Sequence, residues 1–579
     1  MAKSKRTSNI YYDGFEGIDT RKCHSGKESS SYIENFRIKN DGSLEKRYGY
    51  QHVSICPDGS IVDLWYDEEI RTNNKCIYLT DAQSIMECEL NTGQTQKVTS
   101  IPDEETDGKL FFYQGDLYLK NTKNIYLIKD KSATSIVGYV PLMGKNWETS
   151  YPGEIYQPRN LMHNKVRISY KIPEVYTSML PTLYPISSVS ALYRNGKLVS
   201  PNEYSIDSRF DTINVNSVAP GDEFLAVVNL ASDSPKKDLF FACKSITSDG
   251  NLNDIQICAW NSTEKNLIFT NTFVHEDDFN QSEEVCPNHG ALYFPENKVI
   301  SMGDNNSAVN AVIKYYDKLL VFGKKETWLV DPISIEENKP SCIKINSQEG
   351  CYNPDACTII NSVPYTVGSK GLLKWDIDPN YPNRSKVELI SQGISEYLTK
   401  TFLKYAMPFY SRSTNEIWFY NNMFGETVFV YDLNNKNWVT FSNIIAAQFF
   451  EFDGKLYFQD RSDIFRFSKS YDVDIGPFEI TKSVVGKFES GILSFSSTDA
   501  KRLSLGKVIG DLKAGEFNMD IACDNNEAIN LKATSDREHS VTVRRLNSGR
   551  FRNLKFSFTC TGPAGMTVHS VKLTTRSKE

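Results

Sequence analysis

Between Ser411 and Phe467 the apolar residues stand side by side in short runs. These are Ile417-Trp418-Phe419-Tyr420, Val428-Phe429-Val430-Tyr431, Trp438-Val439-Thr440-Phe441, Leu456-Tyr457-Phe458 and Ile464-Phe465-Arg466-Phe467. Asn, Asp, Gly and Ser separate them. Runs rich in β-branched and aromatic types, bounded by such residues, predict short antiparallel strands joined by tight turns. A strand with one wet face would alternate apolar and polar positions; these do not, so both faces are expected to be covered. The stacked blades of a β-propeller cover both faces of each sheet.

A propeller requires repetition, with one blade about every 40 to 50 residues. The same grammar of hairpin and aromatic ending recurs around Ile77-Tyr78-Leu79, Ile125-Tyr126-Leu127-Ile128, Trp328-Leu329-Val330-Asp331 and Leu372-Leu373-Lys374-Trp375. Tyr78 and Tyr126 are 48 residues apart, and Trp328 and Trp375 are 47 apart. From Tyr126 to Trp328 the gap is 202 residues, so a module is inserted between blades. Its hairpin at Ala191–Val199 turns at Asn195-Gly196, a pair that accepts the two positive φ angles of a type I′ turn. Beyond Gly476 the blade grammar gives way to alternating strands such as Phe556-Ser557-Phe558, as expected of a two-layer domain.

The fold class expected is all-β: an irregular β-propeller of about six blades with an inserted β-sandwich module and a C-terminal β-sandwich. The boundaries read as an N-terminal arm and hairpin over 1–54, blades over 55–145 and 301–475, the insertion over 146–300, and the sandwich over 476–579. The competing architecture is a set of unrelated β-sandwiches.

Charge narrows the partners. The 579 residues carry a formal net charge of −7, so tight general binding to nucleic acid through phosphates is disfavoured. Transient passage of DNA along an acidic wall is compatible with it. No run approaches the roughly 18 apolar residues of a membrane span, and Met1–Ser8 lacks a signal peptide's apolar stretch. The expectation is a soluble product made in a cytoplasm. Twelve cysteines are scattered without a Cys-x-x-Cys spacing, supporting neither zinc nor a disulfide framework.

The segment Asn35-Phe36-Arg37-Ile38-Lys39-Asn40-Asp41-Gly42-Ser43-Leu44-Glu45-Lys46-Arg47-Tyr48-Gly49-Tyr50 carries a good hairpin signal at Asn40-Asp41-Gly42. Through Asn35, Phe36, Asp41, Gly42, Leu44, Lys46, Arg47, Gly49 and Tyr50 it resembles the tail nozzle (tail tubular protein B) family of tailed bacteriophages and the related packaged-DNA stabilisation proteins. Read alone, it is also an ordinary hairpin with Lys46 and Arg47 in solvent. The resemblance implies a virion tail protein assembled in the host cytoplasm: a homo-oligomeric, six-fold ring seated on a portal or adaptor, touching genomic DNA transiently. The chain is shorter than the longest nozzle proteins, which puts a fibre-docking platform in doubt.

Chemistry is thinly signalled. The carboxylates of Asp103–Asp107 lack the ordered spacing and central Gly of a calcium loop. His275–Asp278 with His289 cannot converge as adjacent ligands on an extended chain. Neither paired glycosidase carboxylates nor a nucleophilic triad is legible, so no enzyme, metal or cofactor is expected. In the last domain Arg544, Arg545, Arg550, Arg552 and Lys555 form a basic group that suits an acidic neighbouring subunit or the phosphates of DNA, or simply a solvated face. The inserted module reads equally as a docking decoration or a stabilising lobe. The alternative function is a carbohydrate-binding or carbohydrate-cleaving propeller acting as a receptor-binding tail component; a kelch-like host protein fits the interrupted blades less well.

Overall fold

In the computed structural model the adjacent apolar runs form strands buried on both faces: all six residues of Glu416–Asn421 and all five of Asn437–Phe441 are buried. Residues 5–578 are described except 23–29, 67–73, 103–106, 114–115, 122–123, 137, 150, 208–210, 232–239, 247–255, 261–265, 270–292, 298, 303–307, 317, 332–340, 379–380, 382–384, 424, 495–501, 513–514, 525–528, 535–539 and 545–550. The protein is an all-β, propeller-type fold. Among the described residues, seven groups of four strands are paired in the sequential order of a blade: 61–100, 109–136, 240–301, 311–346, 357–389, 406–441, and 448–467 completed by Tyr50–Ile55. The sequence leads to an expectation of about six such groups. The additional sheet, Phe240–Ile246 to Val299–Ser301, falls within the 146–300 stretch assigned to the insertion. Phe269 and Val299 are consecutive strand ends 30 positions apart, which dilutes the blade period there.

The chain divides into two compact units, one of residues 1–77, 86–97 and 349–579, the other of 78–85 and 98–348. In the first, the blade of Gln448–Phe452, Lys455–Asp460 and Asp463–Phe467 is completed by Tyr50–Ile55, which runs antiparallel to Asp463–Phe467. The segment before residue 54, expected as an arm leading into the propeller, has a second role. Lys5–Tyr12 pairs along Thr567–Lys578, the hairpin Phe36–Ile38/Leu44–Lys46 adds to the same sheet, and Ser30–Glu34 pairs with Gly486–Ser490 in the facing one. The C-terminal sandwich is therefore built from both regions. Its core explains why: Phe488 packs against Tyr12 and Phe15 at 5.6 and 5.0 Å between ring centroids, and Phe558 against Phe36 at 6.0 Å. Without the N-terminal strands those aromatic faces would meet water. Along Asn553–Thr561 buried positions alternate strictly, as a sandwich strand requires.

In the second unit the inserted module is a sandwich of two sheets. Leu142–Trp147, Lys165–Lys171, Glu223–Leu230, Ile186–Arg194 and Lys197–Leu198 form the larger; Met179–Pro181, Thr212–Val215 and Tyr204–Asp207 the smaller. Trp147, Val166, Ile168, Tyr170, Leu192 and Phe224 lie in their shared core. The Asn195-Gly196 turn has φ of +50° and +76°, the expected type I′ geometry.

Candidate functional site

Asn35, Lys46, Arg47 and Gly49 of the motif converge on a buried junction in the first unit, while Asp41 and Gly42 form the turn that leads to it. Leu44–Lys46 turns back on Phe36–Ile38 through Gly42 at φ +78°, and the Asp41 carboxylate accepts from the Ser43 amide at 3.0 Å and hydroxyl at 2.6 Å. Those bonds hold the Asp41 carboxyl below its ordinary range. The hairpin thus points the next two residues inward. Lys46 and Arg47 are each 1% exposed, which excludes the solvent-facing reading of the pair.

Arg47 makes five hydrogen bonds. Nε donates to Asn35 Oδ1 at 2.7 Å, one terminal nitrogen to Asp474 Oδ1 at 2.8 Å and the Tyr48 carbonyl at 3.0 Å, the other to Asp474 Oδ2 at 2.7 Å and the Ser442 carbonyl at 2.9 Å. Asn35, at φ +58°, donates from Nδ2 to Ser442 Oγ and the Val485 carbonyl, both at 2.9 Å. Lys46 Nζ donates to the Gly562 carbonyl, and burial lowers its pKa. Gly49 closes the motif: a Cβ there would lie 1.9 Å from the Val473 carbonyl oxygen.

One guanidinium therefore joins the N-terminal hairpin, the turn after the 406–441 blade and the strand Val473–Ile475. The surrounding contacts repeat the linkage. Arg37 Nε meets Glu416 Oε1 at 2.7 Å, and Glu34 accepts from Ser442 Oγ at 2.7 Å and Lys487 Nζ at 3.1 Å. Burial alone would raise the Glu34 pKa, but bonds from Tyr32, Ser442 and Lys487 outweigh it and hold it low. Burial likewise pushes Asp474 up, opposed by Arg47. An ion pair this deep is held by complementary geometry and by hydrogen bonds to its remaining groups, and losing either partner leaves a charge stranded. The junction is a brace.

Of the basic group of the last domain, Arg544, Arg552 and Lys555 lie among the described residues. Arg544 ends Ser540–Arg544, which pairs with Arg502–Asp511, whereas Lys555 lies in Asn553–Thr561 of the other sheet. Lys555 Nζ pairs with Glu489 at 2.8 Å, and Arg552 is exposed, its backbone amide bonded to Asp524. Arg545 and Arg550 lie outside the described residues, as do Asp103–Thr106, His275–Asp278 and His289. Among the described residues no group of three or more His, Cys, Asp or Glu side chains could hold a metal, and no helix is long and apolar enough to cross a membrane. Cys56, Cys76, Cys88, Cys351, Cys523 and Cys560 are buried, and Cys342 is exposed.

Sequence reading missed Asp474, which lies 427 residues from Arg47 and carries no motif of its own. It also missed a cleft of about 650 Å³ in the inserted module, lined by residues of Lys145–Tyr156. Its only signal was the density of aromatic residues, glycine and proline in that stretch.

No protein-family model matches the chain, and no curated protein matches it. Solved structures align with it at low similarity. The extracellular domain of the putative one component system BT4673 from B. thetaiotaomicron aligns over 93% of this chain at 9% identity and a TM-score of 0.38, and the chain spans 64% of that one. Saccharomyces cerevisiae Sqt1 aligns over 73% of this chain and 98% of its own at 6% identity and a TM-score of 0.35. YCF48 bound to D1 peptide aligns over 72% and 94% at 7% identity and a TM-score of 0.34.

Proposed function

We propose that this chain is a virion structural protein, a ring-forming subunit of a bacteriophage tail or head-to-tail channel that retains packaged DNA and conducts it during ejection. The observation that supports the reading is the brace. The motif residues by which the chain resembles tail nozzle proteins are used to tie blade, hairpin and C-terminal sandwich together, not to present charge to solvent. A conduit wall under load needs its parts to move as one, and a buried bidentate pair resists their separation because opening it strands two charges. The role asks for rigidity and no catalysis. The partners in this reading are further copies of the chain in a six-fold ring, a portal or adaptor complex, and DNA in passage.

The test is to mix the purified chain with portal rings from the same particle and examine the product by sedimentation and negative-stain microscopy. Annular particles, or co-sedimentation with the portal, are expected. A chain that stays monomeric at all ratios overturns the proposal, and hydrolysis of glycans by those monomers would favour the carbohydrate-cleaving alternative.

A further inference from the structure

The cleft of the inserted module has the makings of a ligand site. Leu142–Trp147 carries two register shifts against Lys165–Lys171, one on each side of Gly144. Such bulges re-aim side chains and are common beside binding sites. Here Lys145 and Asn146, Asn146 at φ +52°, are both exposed while Trp147 turns into the core at 2% exposure. The following loop then folds over the indole. A Cβ on Gly144 or Gly153 would come within 2.5 or 2.6 Å of the Trp147 ring, so the close approach needs glycine on both sides. The loop is pinned by Trp147 Nε1 donating to the Glu154 carbonyl at 3.2 Å and by the Tyr156 amide donating to the Met143 carbonyl at 2.9 Å. Lys145 Nζ sits 4.4 Å from the Tyr156 ring centroid. The cleft is thus pre-formed, and its volume falls in the range of small-ligand sites.

Its lining decides the ligand class. Tyr151 is 79% exposed at the rim, an aromatic ring kept in water. Around it stand the Asn146 amide and the Glu148 and Glu154 carboxylates, all exposed. An open aromatic face beside planar hydrogen-bonding groups suits a ligand with one C–H-rich face and an edge of hydroxyls. Two carboxylates against one ammonium repel phosphates and acidic sugars. We infer that the Lys145–Tyr156 cleft is a binding site for neutral oligosaccharide, with Tyr151 as stacking platform and Asn146, Glu148 and Glu154 as hydroxyl partners. This goes beyond the channel reading and does not depend on it.

The experiment uses the full chain with neutral glucan, mannan and N-acetylhexosamine oligosaccharides, and with polygalacturonate fragments as the acidic comparison, read by saturation-transfer NMR and calorimetry. At least one neutral series binds and the acidic one does not. Tyr151→Ala and Asn146→Gly, the glycine keeping the left-handed backbone of Asn146, each weaken binding about tenfold or more with unchanged hydrogen exchange in the core strands of the module, the tenfold being about 1.4 kcal/mol. Glu148→Gln with Glu154→Gln relieves the repulsion and admits the acidic fragments. Absence of binding by every neutral series, binding indifferent to Tyr151→Ala, or a preference for the acidic fragments by the unaltered chain overturns the assignment.

Discussion

Replacing Arg47 with Met keeps an unbranched side chain as long as the Arg stem out to Nε and removes its charge and all five hydrogen bonds. Asp474, 1% exposed, is left without its counter-ion, and the Asn35 and Ser442 acceptors lose a donor. Stranding one partner of a buried pair costs about 3–5 kcal/mol, a large share of the roughly 5–15 kcal/mol that holds a typical domain together. The chain has several domains, so a single melting point is a poor measure; hydrogen exchange reads the junction itself. A loss of about 4 kcal/mol accelerates exchange about a thousandfold, and the acceleration should appear in peptides covering Asn35–Gly49, Thr440–Asn443 and Tyr471–Asp474. Because the stranded carboxyl escapes its penalty by taking up a proton, the defect should be greatest at neutral pH and shrink on acidification. Adding Asp474→Leu removes the stranded charge and should restore at least half of the loss. Should Arg47→Met slow or leave unchanged the exchange of these peptides at pH 7, or cost under about 1 kcal/mol, the brace is not what holds the junction.

Gly49→Ala places a methyl group against the Val473 carbonyl and should destabilise the first unit by about 1–3 kcal/mol, measured as local exchange. In the inserted unit His163 donates from Nε2 to the Tyr139 carbonyl and accepts at Nδ1 from the Lys165 amide; burial lowers its pKa to about 4. A depressed histidine contributes stability that is full above about pH 6.5 and lost as pH falls toward 4, at most about 3 kcal/mol, so acid melting of this unit should flatten in His163→Gln. Phe478, 89% exposed at φ +56° on the hairpin Val473–Ile475/Thr481–Ser483, occupies a backbone region that costs a bulky residue about 1 kcal/mol. Phe478→Gly is expected to raise the stability of this hairpin by about 1 kcal/mol, read as slower hydrogen exchange across Val473–Ser483, and faster exchange there would refute the strain.

The strands were legible because their burial copies their residue pattern: continuous in Glu416–Asn421, alternating in Asn553–Thr561. Turns were legible where two residues dictate them, as at Asn195-Gly196. What stayed hidden is non-local. Nothing near Lys5–Tyr12 announces that its partner is Thr567–Lys578, since strand pairing is set by complementary faces and not by adjacency. For the same reason the hairpin at Asn40-Asp41-Gly42 was readable while the fate of Lys46 and Arg47 was not. A basic pair after a turn belongs to water by default; here the Asp474 carboxylate draws in Arg47 and the Gly562 carbonyl receives Lys46. In the basic group of the last domain, Arg544 and Lys555 lie on strands of different sheets, an assignment that sequence proximity does not reveal.

The pairing of Tyr50–Ile55 with Asp463–Phe467 also sets a timetable. A ribosome adding about 5–20 residues per second needs roughly 20–80 seconds to deliver the partner after the first of these strands has emerged. For that interval the early segment waits on the nascent chain with its hydrogen-bonding edge unclaimed. Its sequence, Tyr50-Gln51-His52-Val53-Ser54-Ile55, places Gln51, His52 and Ser54 among the apolar residues, which keeps the waiting segment from sticking to other nascent chains.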